Sequence, residues 1–243
     1  MAPRRGSFVV PADLPAWGVD AVRPWVAPWQ DMSSHIATCP RCAGALRAPG
    51  FWSSAWQCDR HGEVHPFHVA PTPTLAAVER LVADTRVPVW VPRPLPLGWT
   101  VTGVGRAGDE RTGVVASLVA LSGPAPKGGP ADIVLVAEEP GIGLGARFAG
   151  LAATDPGGCP DTAPDAKVEA AGHPTALWRT AAGEDRCALI GEAKALWLWA
   201  VVWPDAAMRM LDGVALHDLR DGGHPELELV FGAQSPRLST PPL

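Results

Sequence analysis

The chain has 243 residues, of which 47% are hydrophobic and 19% charged, with a formal net charge of −5. That much apolar material supports a packed core and excludes wholesale disorder. Residues 1–70 carry six Arg against five Asp or Glu, and the remainder carries 14 basic against 20 acidic side chains. Neither part has the basic excess of a nucleic-acid footprint, so a nucleic-acid partner is not expected.

Seventeen Arg against three Lys, 27 Pro, 26 Gly and no Tyr read as the mark of GC-rich coding more than of function. The 11 Trp belong mostly in a core, because exposed Trp clusters promote aggregation.

Residues 1–31 are punctuated by Pro11, Pro15, Pro24 and Pro28 and carry Trp17, Trp25 and Trp29 without helical or alternating period. They read as an irregular extension. Met32 stands seven residues before Cys39 and offers an alternative start, so the expectation is that residues 1–31 are an over-long reading of the gene. The apolar run after Arg4 and Arg5 stops at Pro11 and Asp13, unlike a secretory signal. The longest apolar run, ALWLWAVVW at 195–203, falls well short of the ~20 residues that span a bilayer. The expected setting is cytoplasmic, where thiols stay reduced and a CxxC pair reads as metal-binding or redox-active.

Residues 32–70 form a compact Cys/His module. Cys39-Pro-Arg-Cys42 is followed after 15 residues by Cys58-Asp-Arg-His61, and Gly44 and Gly62 ease a tight turn after each pair. Two short-spaced pairs supplying three thiolates and an imidazole meet the tetrahedral demand of a structural zinc ion. A thioredoxin-like redox pair would follow a strand in a βαβ unit and would not need the second pair. His65 is the alternative fourth ligand, although its loop from Cys58 is longer than such knuckles use. With all four positions filled by protein no water is admitted, so the expected Zn²⁺ is structural, worth about 10–16 kcal/mol of apparent binding energy. Arg47, Phe51, Trp52 and Trp56 lie between the pairs and form the surface that the metal presents, either to the rest of the chain or to a partner.

Residues 71–98 give a helix and a connector. In PTPTLAAVERLVADTRVP, Thr72 suits a cap, Pro73 the first helical position, and Leu75, Val78 and Val82 one face. VPVWVPRPLPLGW then carries Pro at 88, 92, 94 and 96, which favours an extended connector without ladder donors.

From residue 99 to 238 strands dominate. WTVTGVG alternates, while VVASLVAL and DIVLVAEE are apolar on both faces, as central strands are. AKVEAAGHPTALW and CALIGEAKALWLWAVVW read as hairpins, DAAMRMLDG as a short helix capped by Asp205 and stopped by Gly213, and VALHDL and ELELVF as edge strands. The fold class expected is α+β: a small zinc-ribbon module before a mostly antiparallel sheet domain with a few short helices.

Several other groups bear on chemistry. In EEPGIGLGARFAG, residues 138–150, Gly141, Gly143 and Gly145 would let backbone N–H groups approach an anion, with Arg147 as counter-charge. The spacing fits no phosphate-loop fingerprint, and Glu138 and Glu139 oppose an anion, so a plain loop or broad turn is the stronger reading. Trp197, Trp199 and Trp203 share one face of a strand whose other face is also apolar, which marks core rather than a ligand platform. His217 and Asp218 alternate across a strand and cannot form a dyad. Cys159 and Cys187 have no neighbouring base, and neither GxSxG nor HExxH occurs.

The pattern CPRC…RAPG…WQC..HG.VHP, followed by VPVW.P.PLP.GW, LVAEE.G.GLGAR.AG, G.PT.LW and LWLWAVVWP, resembles an uncharacterised family of actinobacterial proteins. That family is a domain of unknown function with an N-terminal zinc ribbon, and the resemblance covers residues 32–238. It implies no catalytic residues. A phosphotransacetylase reading attached to such proteins finds no alternating βα pattern here. A weaker similarity, to bacterial domains that open LP.GW and run through a curved antiparallel sheet, implies a β surface that holds a ligand or partner. The expected function is therefore non-catalytic binding or regulation, through an unidentified protein or small-molecule partner and without a membrane. The alternative is acyl or phosphoryl transfer at the 138–147 loop, and a nucleic-acid-binding ribbon using Arg41, Arg47 and Arg60 ranks third.

Overall fold

A computed structural model describes residues 37–51, 53–157, 162–222 and 229–239. The extension at 1–31, Met32, Trp52, Cys159 and the start of ELELVF lie outside the described residues.

The architecture is mostly β. Strands β1 (Gln57–Cys58) and β2 (Gly62–Glu63) form a two-stranded ladder that closes the Cys/His module. Everything larger belongs to one ten-stranded mixed sheet. Its members are β3 (Phe67–Val69), β4 (Trp90–Pro92), β5 (Thr100–Asp109), β6 (Gly113–Pro124), β7 (Pro130–Glu138), β8 (Ala166–Ala170), β9 (His173–Thr180), β10 (Cys187–Ala193), β11 (Leu196–Trp203) and β12 (Ala215–Asp218). The order across the sheet is β3-β5-β6-β7-β11-β10-β9-β8-β12-β4, antiparallel throughout except for β8 beside β12.

The long central strands form where apolar residues run continuously, because β6, β7 and β11 are covered on both faces. One core collects Val101, Leu121, Leu135, Leu198 and Leu189 with α1 (Leu75–Asp84) and Trp90. The other collects Leu118, Val134, Val136, Trp199 and Trp203 with Leu144 and Phe148 of α2 (Leu144–Ala149). The alternation of Trp199 and Trp203 with Leu198 and Val202 thus feeds opposite cores, and both indoles are buried. β4 stands at the end of the strand order opposite β3, yet touches β6 and β7, so the sheet curls over one of its own faces.

Several local expectations differ from the structure: VALHDL, expected at an edge, forms β12 between β8 and β4. Thr74, not Thr72, caps α1, accepting from the Ala77 N–H at 3.2 Å. The proline-rich connector contributes β4, whose register against β12 sets Val91 opposite His217 and leaves its prolines at the strand end. DAAMRMLDG forms a 3₁₀ helix, Asp205–Leu211, with Pro204 and not Asp205 at the cap position. The dyad argument at residues 217 and 218 matches what is seen: His217 is exposed and Asp218 buried.

Asp218 fastens the curled end. It accepts from the Val89 N–H at 3.1 Å, from Lys194 Nζ at 2.8 Å and from Arg220 at 2.6 Å. Burial opposes ionisation of this carboxyl, but the Arg220 and Lys194 donors prevail and hold it down to about 2.

Candidate metal centre

Each Cys pair sits at a tight turn. In the first, the Ala43 N–H donates to the Cys39 carbonyl and the Cys39 N–H to the Gly44 carbonyl, at 2.9 and 2.8 Å. The left-handed position is Ala43 (φ 57°), not Gly44. Space is tight at Gly44 instead, since a Cβ there would stand 3.3 Å from the Cys42 sulfur. In the second turn Gly62 does take the left-handed conformation (φ 68°), and β1 and β2 pair across it.

These turns bring Cys39, Cys42, Cys58 and His61 together, with one donor atom of each within 4.8 Å of all the others. Cys39 Sγ lies 3.5 Å from His61 Nδ1, Cys58 Sγ 3.6 Å from the same nitrogen, and Cys42 Sγ 3.7 Å from Cys58 Sγ. A tetrahedral ion with bonds of about 2.3 Å to sulfur and about 2.0 Å to nitrogen needs edges of about 3.8 and 3.5 Å. These three edges lie close to those values, and the four donors stand near enough together to hold a metal ion.

The electrostatics of the donors differ from one to the next. Burial pushes the Cys39 thiol up to about 12, against backbone N–H groups of Arg41 and Cys42 directed at its sulfur. At Cys58 burial also opposes ionisation, but the N–H groups of Arg60 and His61 outweigh it and lower the thiol below its usual value. Burial first, then the charges of Arg41 and Arg60, hold His61 below its ordinary range, so the imidazole stays neutral, the form that binds metal. His65 lies elsewhere, with Nδ1 3.3 Å from Thr112 Oγ1 in the β5–β6 turn.

The module is seated on the sheet. Thr38 and Phe67 exchange both backbone hydrogen bonds, at 3.0 and 2.8 Å, which ties the first turn to β3. Arg41, between the two cysteines of that turn, donates to the carbonyls of Gly141 at 2.7 Å and Ile142 at 3.3 Å. Arg147 returns the contact, donating to the Cys39 carbonyl at 3.4 Å while its guanidinium lies 4.4 Å from the Phe148 ring centre and 4.8 Å from that of Phe67.

The Gly-rich stretch is therefore the floor under the Cys/His module, and its donors are used internally. Glu138 is buried and accepts from the N–H groups of Leu144 and Gly145 at 2.7 and 3.2 Å, at the start of α2. The Gly141 N–H donates to Asp155 at 2.8 Å, and Glu139 pairs with Arg86 at 2.9 Å. Burial pushes the Glu138 carboxyl up to about 8, even against those two donors. Gly145 packs so close to Trp199 that a Cβ would stand 2.2 Å from the indole. Gly143 begins α2 in the left-handed conformation beside Arg41 and Thr154.

The remaining residues between the Cys pairs divide. Trp56 meets His68 edge to face at 6.4 Å and so faces the sheet. Arg47 pairs with Asp59 at 3.1 Å in solvent, and Phe51 is 93% exposed.

Spacing in the sequence pointed to the four ligand candidates. It did not point to a concavity of about 400 Å³ beside them, lined from four separate parts of the chain by Arg41 and Arg60, Arg147, Arg186 and Arg237. Isolated arginines carry no spacing signal, so only the fold reveals that grouping. Among the described residues no helix is long and apolar enough to cross a membrane.

Comparison with curated proteins and with solved structures finds no match. A family profile matches residues 32–238, from before the first Cys pair to the last 3₁₀ turn. The chain belongs to that family, a family of unknown function designated DUF6758.

Proposed function

We propose that this is a zinc-ribbon protein in which a structural Zn²⁺ held by Cys39, Cys42, Cys58 and His61 locks the ribbon onto the β body, and that the body and ribbon together bind a ligand or partner without turning it over. The observation that carries the reading is the four-donor cluster, three thiols and one imidazole with one donor atom of each within 4.8 Å of the others, the number and type of ligands a closed structural zinc site uses. The ion would supply a folding constraint to a module whose own apolar cluster, among the described residues, is Cys39, Cys58 and Val64 with Cys42 and Leu46 against it. Reduced thiols fit a reducing compartment such as the cytoplasm.

The state of the 138–147 loop supports binding over acyl or phosphoryl transfer. Glu138 already serves α2, Glu139 already pairs with Arg86, and the Gly141, Leu144 and Gly145 N–H groups already face carboxylates of the protein. None of these is free to act as general base or phosphate cradle. The test is a screen of acyl and phosphoryl donors with the zinc-loaded protein. No turnover is expected; turnover abolished by Arg147→Ala in a folded variant would overturn the reading.

A further inference from the structure

The concavity beside the metal centre has an unusual charge for so acidic a chain. Five guanidinium groups line it, and among the described residues no carboxylate does. Arg186 pairs with Asp185 at 2.7 Å and Arg237 with Asp132 at 3.0 Å, both behind the wall. Arg41 and Arg147 donate to backbone carbonyls, and among the described residues no carboxylate pairs with Arg60. A zinc ion with three thiolates adds one negative charge, so five positive charges meet three negative ones and about two remain uncompensated. Guanidinium groups lining one cleft repel one another, and a bound dianion relieves that repulsion.

The rest of the wall is apolar. Phe148 and Leu151 lie on one side, Leu238 on another, and Trp203 carries Arg186 and Arg237 at 5.2 and 5.0 Å from its ring centre. The volume of about 400 Å³ falls in the range of small-molecule sites and is too small for a nucleic-acid duplex.

We propose that this cleft, walled by the Cys/His module, α2 and the 3₁₀ turn Pro236–Ser239, binds a small organic phosphomonoester, with the phosphate among Arg41, Arg60 and Arg147 and an apolar or aromatic group against Phe148, Leu151 and Leu238. The inference rests on the binding reading above and names the class of ligand. It also gives the ribbon a role beyond its own stability, because Arg41 and Arg60 reach the cleft only while the metal-bound turns hold them there.

Calorimetric titration of the zinc-loaded full chain at about 150 mM salt, where non-specific ion attraction is screened, tests the site with phenyl phosphate and inorganic phosphate as probes. Phenyl phosphate is expected to bind, and inorganic phosphate at least about fivefold more weakly for lack of the apolar contact. Arg60→Glu should weaken phenyl phosphate at least about tenfold with zinc content and melting temperature unchanged, the loss of one charge-assisted contact. Leu151→Gln, outside the ribbon, should bring the two probes to similar affinity. No binding of phenyl phosphate, equal affinity in Arg60→Glu with zinc retained, or tighter binding of a single-stranded oligonucleotide would overturn the proposal. Release of phenol would leave the site in place and overturn the non-catalytic reading instead.

Discussion

The guanidinium of Arg41 reaches across a hundred residues of chain to the carbonyl of Gly141, at 2.7 Å. Its backbone belongs to the Cys39–Cys42 turn and its partner to the loop that starts α2, so the two stretches richest in chemistry form one unit. Arg147 completes the clasp from the other side through the Cys39 carbonyl. Arg41→Ala removes two charge-assisted hydrogen bonds and should cost about 1.5–3 kcal/mol. Thermal unfolding should show that loss with one zinc per chain retained, because no ligand is touched. Loss of zinc in this variant would mean that the clasp, and not the turn geometry, builds the metal site.

Gly145→Ala tests the fit of α2 on the sheet. The added Cβ would meet the Trp199 indole at 2.2 Å, and both partners are buried, so neither can move aside cheaply. A destabilisation of about 1–3 kcal/mol is expected from overpacking, measured by denaturant unfolding. An unchanged midpoint would show that α2 is free to shift.

Glu138 should make stability depend on pH in an unusual direction. Its folded value of about 8 lies above the ordinary 4.5, so the native state keeps a proton that the unfolded chain has lost across that window. Its contribution to stability therefore falls as pH rises from about 4.5 to 8. Glu138→Gln removes the titration and keeps an oxygen for the Leu144 and Gly145 donors. Relative to the natural protein, the variant should gain melting temperature progressively from pH 5 to pH 8 and no further above pH 9. A constant difference at every pH would contradict the burial argument.

Much of the sheet was legible in the sequence. Apolar runs mark β6, β7 and β11, and Gly172 marks the β8–β9 hairpin, since both signals arise from neighbours in sequence. The β10–β11 turn falls instead at Lys194–Ala195, and Gly191 lies within β10. The metal ligand candidates were legible for the same reason, being two short-spaced pairs. The roles of Glu138 and Arg147 were not. Their residue types promise chemistry, whereas their partners, the α2 donors for one and the Cys39 carbonyl for the other, are fixed by the fold. The use of a proline-rich segment as β4 was equally hidden, because it depends on β12, well over a hundred residues away.

Asp218→Asn should be among the more damaging single changes outside the ribbon. The carboxylate is fully buried and binds Lys194, Arg220 and the Val89 N–H at once. Its folded value of about 2 lies below the ordinary 3.8, so its stabilisation is present above pH 4 and lost as pH falls toward 2. Urea unfolding at pH 7 should show a loss of about 3 kcal/mol, typical of breaking a buried pair. A loss under about 0.5 kcal/mol, the range of surface changes, would mean that the β4–β12 end is held by packing alone.

The central claim is a closed metal centre of three thiolates and one imidazole, and zinc-edge X-ray absorption of the purified full chain reads it directly. The account predicts one zinc per chain with three sulfur neighbours at about 2.3 Å and one nitrogen at about 2.0 Å, unchanged when phenyl phosphate is added. A fourth neighbour that is water oxygen, or a ligand shell that changes with phenyl phosphate, would contradict a purely structural role.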